Sequence, residues 1–174
     1  MSLVGFKAQN HEQQVLVRGP KSTVDDRATT PEVFDPLHQR YGFTIDVAAE
    51  PHNAKLPRFY TPEQDGLEQS WAGERVWCNP PYSAIGPWVE KANEQEAELV
   101  VMLLPANRTE QGWWQDHVEP FRDRPGGIRC EFLRGRLRFL KPGQKRIAPN
   151  ERPPFGCCLL IWEPAPPEPT PKEE

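Results

Sequence analysis

Leu99-Val100-Val101-Met102-Leu103-Leu104 is an unbroken apolar run of strand length. A strand with one wet face alternates apolar and polar residues. A run with no polar residue belongs at the centre of a parallel sheet, covered on both sides. Upstream, Phe43 to Ala48 reads as a buried strand, and Arg75 to Cys78 as another that runs straight into Asn79-Pro80-Pro81-Tyr82. Helical patterns stand between the strands. Thr30 can cap a helix with Pro31 at its first position, Val33, Phe34, Leu37 and Tyr41 on one face, and Gly42 as the stop. A second helix is predicted from about Pro87 to Glu96 with Trp88, Val89 and Ala92 inward, and a third over Thr109 to Val118. The last third changes character: Ile128 to Leu133, Arg136 to Leu140 and Phe155 to Trp162 read as three strands without helical spacers. The simplest assembly is a single α/β domain whose sheet is mostly parallel with an antiparallel carboxyl-terminal edge. Ligands in such sheets bind beyond the carboxyl ends of the strands.

The 174 residues suit one domain. Residues 1–28 are polar and without periodicity, a loosely ordered lead-in; 29–163 form the domain; 164–174 are a proline-rich tail expected to be disordered. Cys78, Cys130, Cys157 and Cys158 make no Cys-x-x-Cys pair, so no metal site is expected, and adjacent Cys157 and Cys158 read as small buried hydrophobes. Trp71, Trp77, Trp88, Trp113 and Trp114 read as core, and Lys91 as a solvated helix residue. No stretch resembles a signal peptide or is long enough to span a bilayer, so a soluble, cytoplasmic protein is expected, with no membrane partner.

Net charge is −4, yet Arg122 to Arg152 holds ten bases and three acids, a local balance of +7. The local patch, not the total, sets attraction to a polyanion. Within it, Arg134, Arg136, Arg138, Lys141 and Lys145 fit a phosphate-contacting segment, and Arg134 to Arg138 alternates as a strand with one wet face should. An exposed edge strand protected by positive charge fits the same residues.

Asn79-Pro80-Pro81-Tyr82 carries the sharpest chemistry. Two consecutive prolines hold the backbone extended and remove amide donors. The Asn79 side-chain oxygen and the Pro80 carbonyl can converge on one planar NH2 group as paired acceptors. The nitrogen of such an amine has its lone pair delocalised into the ring. Accepting both hydrogens returns density to the lone pair, so that it can take a methyl group from a sulfonium donor held in line. Pro81 keeps the turn rigid, and Tyr82 offers a flat face for an extruded base. A rigid turn with no chemistry is the plain alternative. The geometry suits adenine N6, cytosine N4, a guanine amine in RNA or a glutamine amide in protein. An accessory DNA-binding module without cofactor is the rival of a different class.

The stretch from Thr30 to Trp162 resembles the phage-type DNA N-6-adenine methyltransferase family. In order, the matching pieces are Thr30-Pro31 with Phe34; Asp46-Val47-Ala48-Ala49 with Asn53-Ala54-Lys55; Phe59-Tyr60-Thr61 with Asp65-Gly66-Leu67 and Trp71; Asn79-Pro80-Pro81-Tyr82-Ser83; Trp88 with Lys91-Ala92; Leu103-Leu104-Pro105-Ala106; Gly135-Arg136-Leu137 with Phe139; and Pro154-Phe155-Gly156. The resemblance implies a Rossmann-like methyltransferase sheet, S-adenosylmethionine as cofactor and double-stranded DNA as substrate. It also implies a phage or prophage protein in a bacterial cell, one that shields DNA from restriction; a monomer is expected. By the same resemblance, Asp46 and Ala48 would lie by the cofactor's methionine or ribose part, Asp65 would accept from its adenine amine, and Thr30-Pro31 would close over its methionine end. The chain departs from the wider methyltransferase pattern after the first strand, where Ala48-Ala49-Glu50-Pro51 stands in place of a glycine-rich turn.

Overall fold

The computed structural model describes residues 28–94, 96–140, 143–145 and 155–163. In chain order its elements are β1 (Ala28–Thr29), α1 (Pro31–Tyr41), β2 (Ile45–Asp46), β3 (Arg75–Cys78), α2 (Gly86–Asn93), β4 (Leu99–Pro105), α3 (Gly112–His117), β5 (Ile128–Phe132), β6 (Phe139–Leu140) and β7 (Cys157–Trp162). The main sheet has the order β2-β3-β4-β7-β5.

All seven residues of β4 are buried, as an apolar run paired on both edges requires. Its side chains alternate between two cores. Val100, Met102 and Leu104 pack with Trp88, Val89 and Ala92 of α2 and Trp114 of α3. Leu99, Val101 and Leu103 pack with Phe34 and Tyr41 of α1, Phe43 and Phe139. Trp71, Trp77, Trp88 and Trp114 are buried as expected, and Trp113 is half-buried against Trp114.

The sheet is mixed, which corrects the expectation of a mostly parallel sheet with an antiparallel edge. β2, β3 and β4 pair in parallel, while β7 is antiparallel to both β4 and β5. The order of pairing is the reason. β5 returns parallel to β4 after crossing through α3, and β7 enters between those two strands, so two of the four pairings are antiparallel. A second correction concerns Arg136 to Leu140. Only Phe139–Leu140 is a strand, and it pairs with β1 in a separate two-stranded ladder, Thr29 opposite Phe139 and Ala28 opposite Leu140. Gly135 sits at φ +77°, a conformation that interrupts extended alternation.

The strand expected over Phe43 to Ala48 is shorter as named, Ile45–Asp46, but its ladder continues past both ends: Thr44 N donates to Arg75 O at 2.8 Å and Val47 N to Trp77 O at 3.2 Å. Helix α1 stops at Gly42 in the left-handed region, φ 62°, where a glycine has no Cβ penalty. Thr30 holds the cap position, but its hydroxyl makes no cap bond. Its carbonyl takes the Val33 and Phe34 amides at 3.1 and 3.0 Å, and Pro31 has no amide to offer. Helices α2 and α3 end three residues and one residue short of the predicted carboxyl-terminal ends at Glu96 and Val118. Lys91 is not a solvated residue: its side chain is 14% exposed and lies over the Trp71 ring, with Glu94 3.3 Å from its ammonium. Cys78, Cys157 and Cys158 are free and buried, and burial pushes the Cys157 thiol up to about 12. Among the described residues no helix is long and apolar enough to cross a membrane.

Gly66 is required by space. A Cβ there would stand 2.1 Å from Val47 O, at the end of β2, and the Gly66 carbonyl accepts the Trp71 indole N–H at 2.9 Å. Gly66→Ala must push two backbone segments apart and should cost about 1–3 kcal/mol. A thermal melt followed by circular dichroism should fall by roughly 2–4 °C per kcal/mol. An unchanged melt would show that the close approach is not tight.

Candidate active site

The carboxyl ends of β2, β3 and β4 lie side by side because these strands are parallel and in register, Asp46 opposite Trp77 and Cys78 opposite Met102. The chain leaving β2 and β3 shapes a cleft of about 530 Å³. Val47, Ala48, Ala49, Tyr60, Gly66, Pro81 and Trp88 make it largely apolar, and Asn53, Thr61, Asp65 and Asn79 supply polar groups at its wall. A few polar groups in an apolar cleft of this size are what a small-molecule site requires. Next to it is a recess of about 20 Å³, room for one water. It is lined by Thr29, Asp46, Asn53, Lys55, Trp77 and Asn79, with Ala28 and Ala48. Asn79, Asn53 and Ala48 belong to both walls.

Asp46 is 2% exposed. Its Oδ2 accepts the Lys55 amide at 3.0 Å and its Oδ1 the Ala48 amide at 3.4 Å. Burial pushes its carboxyl up to about 6, against the opposing pull of those two amides and the Lys55 charge. One buried carboxylate therefore holds both ends of the 48–55 loop, the segment where a glycine-rich turn is absent. The outer edge of β2 is closed by the chain at 58–60, where Asp46 N donates to Arg58 O at 3.0 Å and Tyr60 N to Asp46 O at 2.9 Å. Arg58 is itself held by a two-bond pair with Glu74 at 3.1 and 2.7 Å.

Asp65 stands at the lip of the cleft with φ +51°, and its Oδ1 accepts the Leu67 amide at 3.1 Å. That side-chain turn explains why an acidic residue tolerates the left-handed conformation. Thr30 is buried, Pro31 is exposed, and neither lines the cleft or the recess; Thr29, one residue earlier, lines the recess. Reading two adjacent threonines from sequence cannot tell which of them faces inward.

The tetrapeptide follows β3 directly. Pro80 is buried, while Asn79, Pro81 and Tyr82 are partly so. The Pro81 carbonyl accepts the Ala84 amide at 3.1 Å and the Tyr82 carbonyl a hydrogen bond from Arg108. Among the described residues Pro80 O accepts none. The Tyr82 hydroxyl donates to Leu103 O of β4 at 3.2 Å, and burial holds the phenol well above its usual range. Its ring meets Phe139 at 6.3 Å and 90° and Phe155 at 6.1 Å and 62°. The sequence places Phe155 at the start of a strand and in the Pro154-Phe155-Gly156 match, and gives no sign of its contact with Tyr82; the aromatic cluster joins segments far apart in the chain. Arg134 and Arg136 are exposed and Arg138 half-buried, in the irregular segment that leads to Phe139; Lys145 is exposed, and Lys141 lies outside the described residues.

These features define a mixed α/β protein with a cleft at the carboxyl ends of its parallel strands and Asn79 and Pro81 of the Asn-Pro-Pro-Tyr loop on the cleft wall. The chain belongs to the DNA N-6-adenine-methyltransferase (Dam) family, which matches residues 18–170. It is similar to the DNA N-6-adenine-methyltransferase of Haemophilus phage HP1 (strain HP1c1), 42% identical over 89 residues, covering 48% of this chain and 51% of the phage protein. It is also similar to the DNA N-6-adenine-methyltransferase of Escherichia phage T1, 37% identical over 94 residues, covering 52% of this chain and 40% of that protein. The chain thus spans about half or less of the length of these curated relatives.

Asp46 makes a pH dependence testable. Its folded value, about 6, lies above the ordinary 3.8, so the folded state holds a proton that the unfolded chain has released between those values. This contribution to stability is complete below pH 3.8 and is lost as pH rises through about 6. It should amount to roughly 2–3 kcal/mol. Urea unfolding at pH 4 to 7, compared with Asp46→Asn, should show the wild-type curve falling more steeply. Parallel curves would show that Asp46 is ionised throughout.

Proposed function

We propose that this protein is an S-adenosylmethionine-dependent methyltransferase that methylates the N6 amino group of adenine in double-stranded DNA. The observation that carries the reading is the acceptor loop: Asn79 and Pro81 on the cleft wall, with Pro80 O accepting no hydrogen bond among the described residues. The Dam family match and the two phage relatives support adenine in DNA over other amines. The basic stretch from Arg122 to Arg152 supports a nucleic acid over a protein amide.

The residues present fit the cofactor. The cleft has the volume of a small-molecule site, apolar walls suited to an adenine ring, and a carboxylate, Asp65, at its lip. When bound, S-adenosylmethionine supplies an electrophilic methyl group. Asp46 holds the loop carrying Ala48 against that site, in a Rossmann-like reading of the sheet, and Thr30-Pro31, which stand off the cleft wall, close over the methionine end of the cofactor. Asn79 Oδ1 and Pro80 O accept the two amino hydrogens of the target base, which raises the nucleophilicity of its nitrogen. Tyr82 stacks on the extruded base, held firm by its bond to Leu103 O. Arg134, Arg136, Arg138, Lys141 and Lys145 contact phosphates. The catalytic unit is residues 29–163, acting as a monomer in the cytoplasm of a bacterial host.

Unmethylated duplex DNA incubated with protein and S-adenosylmethionine, then digested and weighed as nucleosides, should yield N6-methyldeoxyadenosine. Cofactor uptake without any methylated base in DNA would move the substrate to RNA or a protein amide; no cofactor uptake would leave a DNA-binding module. Asn79→Ala should cut the transfer rate by about 10²–10³-fold with cofactor affinity nearly unchanged, because it removes a contact that matters in the transition state. Full activity would refute the assignment. Arg136→Ala should weaken DNA binding and reduce the slope of log K against log salt by about 1. An unchanged slope would leave Arg136 without a phosphate.

A further inference from the structure

The acceptor loop is unusual in what it lacks. Pro80 and Pro81 carry no amide hydrogen, so the centre of the loop cannot be held by its own backbone donors. Restraint must come from elsewhere, and two of the bonds that supply it come from β4 and the chain beyond it. The Tyr82 hydroxyl donates to Leu103 O at 3.2 Å, and Arg108 Nη1 donates to the Tyr82 carbonyl. Arg108 and Tyr82 are 26 residues apart in the chain, and the contact joins the segment after β4 to the segment after β3.

Arg108 starts from a firm base. Ala106 N donates to Gly156 O at 2.9 Å, and Gln111 N donates to Arg108 O at 3.2 Å, so the backbone is pinned on both sides of it. Its side chain is part-buried where it meets Tyr82. A charged donor to a carbonyl in such surroundings makes a stronger bond than a neutral pair does, and a planar guanidinium fixes direction as well as distance. Tyr82 is thereby held at both ends, by its carbonyl and by its hydroxyl. With Tyr82 fixed and Pro81 O bound to Ala84 N, the short stretch between Asn79 and Tyr82 has little freedom left.

We propose that Arg108 is a positioning residue that holds the Pro80 carbonyl and the Tyr82 ring where the target amine must meet them, a role that rests on the methyl-transfer reading. It acts through the loop and touches neither cofactor nor base. A displacement of about 1 Å in an acceptor can cost on the order of 10²-fold in rate, so the effect belongs in kcat.

The test compares Arg108→Ala and Arg108→Lys with wild type in two measurements. The first is steady-state methyl transfer to plasmid DNA with varied S-adenosylmethionine. The Ala variant should lose about 10- to 100-fold in kcat with KM for the cofactor within about twofold, and Lys should recover at least about fivefold of the loss by restoring a charged donor. The second is amide hydrogen exchange: the peptide spanning 79–84 should exchange faster in the Ala variant, and the β4 peptide 99–105 should not. An unchanged kcat overturns the proposal, as does a loss carried by KM alone. So does a loss that Lys does not relieve and that comes with faster exchange through β4, because that is general loosening. If the wild-type protein methylates no DNA, the methyl-transfer reading fails by itself, and exchange alone judges the clamp: faster exchange confined to 79–84 sustains it, and no change removes it. If the Ala variant does not fold, Arg108→Gln takes its place against Lys in both measurements.

Discussion

β4 is buried on both faces and paired on both edges, and this constraint fixes the sheet on whose carboxyl ends the cleft is built. A strand with no solvated face cannot slip in register without moving each side chain to the opposite core. Its alternation divides the interior into one core against α2 and α3 and another against α1. Parallel pairing of β2 and β3 with β4 then brings their carboxyl ends together at one edge of the domain. The 79–82 loop borrows this rigidity directly, through Leu103 of β4 and Arg108 beyond it.

The second organising feature is a charge placed where charges are costly. Burying an unpaired carboxylate is strongly unfavourable. Asp46 tolerates its position because two backbone amides point at it, and the residual penalty appears as a carboxyl pushed up to about 6. The return is geometric. A glycine-rich turn shapes a cofactor loop through backbone freedom; here a side chain draws the loop in from Ala48 and Lys55, and alanines can occupy positions where glycine would be expected. Gly66 is retained for a different reason, since the cleft wall at 65–67 approaches Val47 O too closely for any Cβ.

The two-stranded β1–β6 ladder links parts of the chain that the main sheet leaves separate. Thr29 lines the polar recess and pairs with Phe139, and Phe139 stands edge-on to Tyr82. The segment entering α1, the middle of the basic stretch at Phe139 and the 79–82 loop therefore meet in one place. Irregular backbone over 134–138, with Gly135 at positive φ, leaves Arg134 and Arg136 exposed without requiring an edge strand to carry them.

Local physics made much of this legible in the sequence. Residue type and spacing are enough to find β3 and the proline-rich loop that follows it, the β4 run, the Pro31 start and Gly42 stop of α1 and the buried tryptophans, because hydrophobic period, proline and left-handed glycine act within a few residues. Asp46 and Asp65 could be named as candidates but not placed: the bond from Leu67 to Asp65 is a local turn, but the bond from Lys55 to Asp46 and the approach of both loops to the cleft depend on how the chain closes. Other features depend on residues far apart in the chain: the insertion of β7 between β4 and β5, the pairing of β6 with β1 and the packing of Lys91 on Trp71. The aromatic cluster around Tyr82 and the reach of Arg108 to its carbonyl belong with them. Each is a contact whose free energy exists only after the chain has folded back on itself, and no local pattern encodes which distant partner will be there.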